Sequence, residues 1–176
     1  MSNCLAKLFC SNMTLEKFLN NVKSNGKNYK SFPKHLQNVE TALLAVTQSG
    51  NFLHWVPKEL VSAEVCIEAV KQNGEALEWV EESMKTEEVC MEAVKQTSFA
   101  LQWVPEAMIN EELCKEAVKK YGSSLQWVPE KMRNHELCLM ALSLEPTALA
   151  WVPESIRTSE FCMEILPKYF DRLLRK

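Results

Sequence analysis

The sequence predicts an all-α fold: an α-solenoid of 24-residue repeats, each with one long and one short helix. Three observations support this prediction: a fixed tryptophan spacing, a recurring helix N-cap, and helical periodicity of the apolar residues after each cap. Because a unit of this size cannot bury its apolar face alone, neighbouring units must stack. The tryptophans stand 24 residues apart, at Trp55, Trp79, Trp103, Trp127 and Trp151.

The long helix of each unit is predicted to begin seven residues after the tryptophan. A glutamate follows two positions later in every unit, where the helix N-terminus favours a carboxylate. An apolar stripe at helical spacing comes next, as in Val65, Cys66, Ala69 and Val70. The predicted N-caps are all Ser, Thr or Asn, which suit this role: Ser62, Thr86, Asn110, Asn134 and Thr158.

The short helix is predicted to follow a helix stop. Gly74 and Gly122 mark that stop in two units. Proline follows Trp-Val in four of the five units and ends the short helix, because the residue before a proline disfavours helical geometry. Glu81 takes the place of that proline in the remaining unit. We expect each tryptophan to be buried and to form the main contact between units.

The same frame extends beyond the five tryptophans and defines one predicted domain in three segments. Residues 1–30 form an N-terminal cap and a degenerate first repeat. The repeat array occupies residues 31–166 and includes a sixth unit, in which Ser31 stands where the tryptophan would be. Pro167 is expected to interrupt the last long helix, so residues 167–176 form a C-terminal capping helix.

A leucine-rich-repeat horseshoe, which contains strands, has a similar period and is the alternative fold. The repeats lack its Leu-x-x-Leu-x-Leu pattern and its asparagine ladder. They are rich instead in Glu, Lys, Ala and Met behind N-cap residues, which favours helices.

The distribution of charge narrows the classes of partner. The chain has a net charge of -3, but residues 51–160 carry ten Lys or Arg against 19 Glu. Nucleic-acid binding requires Lys and Arg gathered on one surface, so the acidic array disfavours a nucleic-acid partner. No apolar run reaches the length of a membrane-spanning helix, so we expect no membrane span.

The cysteines are predicted to be packing residues. Equivalent Cα atoms of stacked helices should lie roughly 10 Å apart, whereas a disulfide needs about 4.4 to 6.8 Å. No Cys or His spacing suits a metal, and no cofactor is expected. Seven cysteines without a signal peptide favour the reducing cytosol; Cys4 and Cys10 lie outside the array. The array positions are Cys66, Cys90, Cys114, Cys138 and Cys162.

Two blocks of one repeat resemble a known family. Residues 87–96 read Glu-Glu-Val-Cys-Met-Glu-Ala-Val-Lys-Gln, and residues 100–106 read Ala-Leu-Gln-Trp-Val-Pro-Glu. This pattern resembles a family of short bacterial helical repeats classed as a domain of unknown function, over about residues 31–166. The resemblance implies a helical repeat module with no established activity. Because the family includes proteins of intracellular pathogens, it also implies an alternative: a secreted effector or inhibitor acting on a host or enzyme target, in the host cytosol.

The sequence shows no catalytic constellation. His35, His54 and His135 fall at three different repeat positions, and the single aspartate is Asp171. No nucleophile turn or phosphate-binding glycine loop is recognisable. We therefore expect a non-enzymatic protein-protein interaction module whose partner the residues do not identify. An unrecognised hydrolase or transferase is the alternative from a different class.

One unit carries a candidate partner-binding patch. On the outward side of the long helices, most units place paired charges, such as Glu92 with Lys95. The unit of Trp127 instead places Met140, Ser143 and Leu144 there. Apolar residues at otherwise charged positions indicate a contact with a partner. The alternative is that the terminal helix covers the patch with Tyr169, Phe170, Leu173 and Leu174.

Overall fold

The computed structural model describes residues 37–174 together with Asn20 and Lys34, with side chains as far as Pro167. Residues 1–19 and 21–33, which contain the predicted cap, the degenerate first repeat and Ser31, lie outside this range. The described part contains six α-helices and no strand, which confirms the all-α prediction. The helices are α1 (Val39–Gln48), α2 (Ala63–Gln72), α3 (Glu87–Gln96), α4 (Glu111–Lys120), α5 (His135–Leu144) and α6 (Ser159–Leu174).

The short helix of each unit is a six-residue 3-10 helix that ends at the tryptophan. These helices are Gly50–Trp55, Gly74–Trp79, Ser98–Trp103, Gly122–Trp127 and Pro146–Trp151. A second 3-10 turn of three residues follows. These turns are Lys58–Leu60, Glu82–Met84, Glu106–Met108, Glu130–Met132 and Glu154–Ile156. The tighter helix suits such short pieces because each of its hydrogen bonds spans only three residues.

The predicted N-caps are confirmed by hydrogen bonds from the first turn of each helix. The Oγ of Ser62 accepts from the Val65 N–H at 3.3 Å, and the Oδ1 of Asn110 accepts from the Leu113 N–H at 2.9 Å. The unit without a tryptophan has the same start, since Asn38 and Thr41 form a reciprocal capping box at the beginning of α1. The equivalent caps of α3, α5 and α6 are Thr86, Asn134 and Thr158.

Gly74 and Gly122 follow the end of a long helix, as predicted, and they act there by close approach. No described residue has a positive φ, so neither glycine adopts a left-handed conformation. Each long helix ends instead because its next residue is extended, as at Asn73 with φ -149°. A Cβ at Gly74 would overlap the carbonyl oxygen of Ala93 in the next unit. The missing side chain lets the 3-10 helix press against the following α-helix.

The core lies between two layers that run along the array. Each α-helix packs against the next α-helix, and each six-residue 3-10 helix packs against the next 3-10 helix. The predicted stripe is confirmed, since Val65, Cys66, Ala69 and Val70 are all fully buried, as are their counterparts in α3 and α4. The 3-10 layer contributes Leu53, Leu77, Leu101 and Leu125 to the same core, whereas the equivalent Leu149 is exposed. One face of each layer therefore remains open to solvent.

The unit without proline keeps the geometry of the others. Val80 has φ -77° and ψ 130°, and Glu81 has φ -65° and ψ 146°. In the proline-containing unit of Trp103, Val104 has φ -79° and ψ 130°. Glu81 also forms a salt bridge of 2.5 Å with Lys58 of the preceding unit. This hydrogen bond and the charge of Glu81 raise the pKa of Lys58.

Two cations in the turn before the long helix join neighbouring units. The buried Lys85 donates from Nζ to the Trp103 carbonyl of the next unit at 2.9 Å. Arg133, at the equivalent position two units later, donates from Nη1 to the Trp151 carbonyl at 2.8 Å. Val61 and Ile109 occupy this position in the units of Trp55 and Trp103. Arg157 occupies it in the unit of Trp151 and donates to the Val152 and Ala150 carbonyls of its own unit. Between the units of Trp55 and Trp151, junctions with a cation on the tryptophan carbonyl therefore alternate with junctions without one.

The last helix differs from its prediction. An interruption at Pro167 was expected, but α6 continues through this proline to Leu174. A helix can pass through proline when it forgoes one backbone hydrogen bond and relieves the ring contact with the preceding turn, usually by bending.

Candidate functional site: the tryptophan face

The predicted patch on α5 is only partly accessible. Met140 is half-buried and packs against the core. Ser143 is exposed, and its hydroxyl donates to the Met140 carbonyl at 2.7 Å. Leu144 is half-buried. The side chains of Tyr169, Phe170, Leu173 and Leu174, predicted as a cover, lie outside the described side chains. Partner binding at this patch stays a prediction.

Four of the five cysteine positions in the array are buried, and their thiols are expected to react slowly. Burial raises the pKa of the thiols of Cys66, Cys90, Cys114 and Cys138 to about 11. All four are free thiols, and Cys162 is a free thiol that is exposed. Since the thiolate is the nucleophile and the metal ligand, the four buried positions suit packing rather than thiol chemistry. Within the described residues, no group of three or more His, Cys, Asp or Glu residues is placed to hold a metal ion.

The two described histidines of the array occupy separate surroundings. His135 lies at 3.0 Å from Glu164 of the next helix, and its ring meets Phe161 edge-on at 5.1 Å between centroids. The ring of His54 lies against two tryptophans in the 3-10 layer. The two rings therefore lie apart in the structure. Their different repeat positions predicted this separation.

The tryptophans are not the buried residues that the sequence predicted. Trp79, Trp127 and Trp151 keep 42%, 36% and 41% of their surface exposed. Trp55 and Trp103 are half-buried and pack against the core. The reason lies in the layering: each indole belongs to the 3-10 layer, whose inner side meets the α-helices and whose outer side has no third layer among the described residues. The array therefore displays a regular series of indoles.

We define the tryptophan face as the five tryptophans together with the residues one and four positions before each of them. Residues three apart in a 3-10 helix project in the same direction, so these two preceding positions lie side by side. A cavity of about 300 Å³ confirms this juxtaposition between the first two units. Its lining consists of Asn51, His54, Trp55, Glu75, Glu78 and Trp79.

The ring of His54 lines this cavity and contacts both tryptophans. Its ring centroid lies 4.7 Å from that of Trp55 in an edge-to-face arrangement and 4.1 Å from that of Trp79 in a tilted one. A second cavity, of about 670 Å³, shares His54, Glu78 and Trp79 and extends toward the second 3-10 turn. Three rings from two units therefore form one continuous aromatic surface, in which His54 and Trp79 are exposed to solvent.

The electrostatic character of this surface is negative. Among the described residues that line the two cavities there are four glutamates and one lysine. That lysine, Lys58, already pairs with Glu81. Glu75 and Glu78 are exposed, and no lysine or arginine within the described residues forms a salt bridge with either carboxylate. Within the described part of the chain, two carboxylates without a salt bridge therefore lie beside two indoles.

The residues of the tryptophan face other than the tryptophans were missed by reasoning from sequence. The available signal was variation: the position four before the tryptophan is Asn51, Glu75, Phe99, Ser123 and Thr147, with no shared property. When the residue type at one repeat position varies in this way, that position has no shared role in packing the core. Phe99 is exposed there and stacks on the exposed Tyr121 at 6.0 Å between ring centroids.

Among the described residues, no helix combines the length and the apolar composition that crossing a bilayer requires. Comparison with known proteins gives one positive result. Residues 63–109 and 110–157 both match the family described as Domain of unknown function (DUF4116). Each match spans two of the 24-residue units. Neither the search of curated proteins nor that of solved structures produced a match. With both matches in tandem over more than half of its length, the chain belongs to the family of the domain of unknown function DUF4116.

Proposed function

We propose that the chain is a non-enzymatic helical-repeat protein that binds another protein through its tryptophan face. The observation that carries the proposal is the regular exposure of the indoles of Trp79, Trp127 and Trp151 on one layer of the array. Large aromatic side chains are enriched in protein interfaces, and tryptophan is prominent among residues that dominate binding energy. A partner that covers these indoles would remove their remaining apolar surface from water.

The charge of the array supports a protein partner over a nucleic acid. Its acidic excess opposes the approach of a phosphate backbone, which needs clustered Lys and Arg. Exposed indoles alone would suit either partner, because bases and side chains both stack on aromatic rings. The acidic surroundings of Trp79 favour the protein.

The cysteines support a reducing compartment, such as the cytosol, as the place where this interaction occurs. All five described cysteines are free, and four of them are in the core, where oxidation would disturb the packing.

The proposal can be tested by site-specific photo-crosslinking in cells. A photoreactive p-benzoylphenylalanine is placed at Glu78 or at Gln102, both exposed on the tryptophan face. Matched positions are Lys71, exposed on α2, and Ser143 in the α5 patch. Covalent products are identified by mass spectrometry after irradiation.

We expect the same protein to be captured from Glu78 and Gln102 and not from Lys71. Capture from Ser143 alone would move the binding surface to the α5 patch. Equal capture from all four positions, or from none, would contradict the proposed function.

A further inference from the structure

The cavity between the first two units differs from the rest of the tryptophan face in its chemistry. Only in the second unit are both positions before the tryptophan acidic, at Glu75 and Glu78. The equivalent pairs further along are Phe99 with Gln102, Ser123 with Gln126 and Thr147 with Ala150. The face therefore carries one local negative site rather than uniform charge.

The walls of this cavity suit a flat cation. Trp55 and Trp79 offer indole surfaces, and the His54 ring lies 4.1 Å from the Trp79 ring. The indole is the best aromatic partner for a cation, and an arginine guanidinium both stacks on it and pairs with carboxylates. Since Glu75 and Glu78 are three residues apart in a 3-10 helix, their carboxylates leave the backbone in the same direction.

The volume of the cavity sets the size of its occupant. About 300 Å³ is at the lower end of the range of roughly 300 to 1,000 Å³ that is typical of small-molecule pockets. A cavity of this size, open to solvent, holds one side chain rather than a large ligand. Lys58 is the one lysine among the described residues that line the adjoining cavity, and it is already paired with Glu81.

We propose that the cavity lined by Trp55, Trp79, Glu75 and Glu78 binds an arginine side chain of a basic segment in the partner protein. This inference rests on the proposed function and specifies its chemistry. The guanidinium stacks on an indole and pairs with the two carboxylates, while the rest of the tryptophan face contacts the apolar flanks of the same segment.

The test uses the full chain and two synthetic peptides at pH 7.5. One is an acetylated and amidated peptide, Gly-Ser-Arg-Gly-Arg-Ser-Gly; the other replaces both arginines with citrulline, which has nearly the same shape without the charge. Two-dimensional nitrogen-proton NMR follows the indole N–H signals of the five tryptophans, so the three distant tryptophans serve as internal references.

Two double variants with the same change in net charge provide the comparison. Glu75→Gln with Glu78→Gln removes the carboxylates at the cavity. Glu88→Gln with Glu112→Gln removes two exposed carboxylates from the first turns of α3 and α4. Circular dichroism confirms that both variants are folded.

We expect the arginine peptide to shift the Trp55 and Trp79 signals most and the citrulline peptide to shift them little. The cavity variant should raise the dissociation constant by about tenfold or more, because both carboxylates that pair with the guanidinium lose their charge. The α3 and α4 variant should stay within about twofold of the unmodified protein.

Equal binding of the two peptides, equal losses in the two variants, or shifts centred on Trp127 and Trp151 would overturn the proposal. If the arginine peptide fails while the photo-crosslinks at Glu78 and Gln102 succeed, the arginine site is wrong and the proposed function stands. If the crosslinks fail as well, the proposed function is wrong too.

Discussion

The tryptophan side chain has two different surroundings in this fold. Its inner part contacts the core, as Trp103 does, and its outer part reaches solvent. The 24-residue interval predicted which residues repeat, but the exposure of the indole depends on whether a third layer covers the 3-10 helices. No pattern in the sequence encodes that, because an indole with one buried edge satisfies the same periodicity as a fully buried one.

The cysteine line is predictable from sequence because its position in the apolar stripe fixes its burial. With a pKa of about 11, the Cys90 thiol holds on the order of 100-fold less thiolate at neutral pH than a free cysteine with a pKa of about 8.5. We therefore expect iodoacetamide at pH 7.5 to modify Cys162 at least ~100-fold faster than Cys90. Peptide mass spectrometry at timed intervals measures both rates in one sample.

The equivalent thiols Cys66, Cys114 and Cys138 should be protected to the same degree as Cys90, and all should react in urea. A buried cysteine that reacts as fast as Cys162 in the folded protein would contradict the packing described for the stripe.

At the scale of the element, the position of the short helices was predicted from the sequence, but their 3-10 geometry was not. The apolar spacing at Ala100, Leu101 and Trp103 predicts a short helix, and the structure has a helix there. Six residues do not distinguish hydrogen bonds of three-residue span from those of four-residue span by periodicity alone. The extended Val104 and the following Pro105 then end the element, as predicted.

The glycines at the start of the 3-10 helices provide a sharp test of the layer spacing. A Cβ at Gly122 would overlap the Ala141 carbonyl oxygen, so Gly122→Ala must push α5 away from the 3-10 layer. We expect a loss of about 1 to 3 kcal/mol in the free energy of unfolding, as for other overpacked sites. Urea denaturation followed by circular dichroism measures it.

Ser98 is the matched control, because it occupies the same repeat position and already carries a Cβ. Its buried hydroxyl has no hydrogen-bond partner among the described residues, so Ser98→Ala should be neutral or stabilising by up to about 1 kcal/mol. A Gly122→Ala variant as stable as the unmodified protein would show that the glycine position tolerates a side chain throughout the array.

The unit with Glu81 allows the proline of the other units to be restored. Both Glu81 and the preceding Val80 have backbone angles that proline accepts, and the Glu81 N–H donates to no group within residues 37–174. Glu81→Pro should therefore stabilise the protein by about 0.4 to 1 kcal/mol, because proline lowers the conformational entropy of the unfolded chain. The variant also removes the salt bridge with Lys58, so Glu81→Gln is measured beside it.

The difference between the proline and glutamine variants isolates the backbone effect. A proline variant that is less stable than the glutamine variant by chemical denaturation would show that this unit differs in geometry from its neighbours.

At the scale of the whole molecule, stability is shared along the array, because each unit contacts mainly its neighbours. Trp103 is half-buried in the third of the five tryptophan units, whereas Trp151 is more exposed and lies in the fifth. We expect Trp103→Ala to cost about 2 to 3 kcal/mol and Trp151→Ala about 1 kcal/mol, since a fully buried tryptophan costs roughly 3 to 5.

Melting temperatures and urea midpoints of the two variants test this order. Equal losses would indicate that the contacts between units do not depend on position in the array, and a reversed order would contradict the packing of Trp103.

The whole architecture was more predictable than the candidate site. The 24-residue period, the N-cap residues and the apolar stripe are local signals that recur in every unit, so each unit supports the interpretation of the next. The binding surface arises instead where positions from two units meet, as at Glu78 and His54. Such a juxtaposition depends on the angle and offset between units. Each family match covers two units, and that length also has a structural explanation only when the contacts between units are known.

The alternating cations define how this array could be lengthened or shortened. Lys85 joins the units of Trp79 and Trp103, and Arg133 joins those of Trp127 and Trp151. Inserting or deleting a single 24-residue unit between Trp55 and Trp151 would change this order of junctions. The cassette whose duplication keeps the order is a pair of units, so we expect a designed array to lose less stability when it is lengthened by two units than by one.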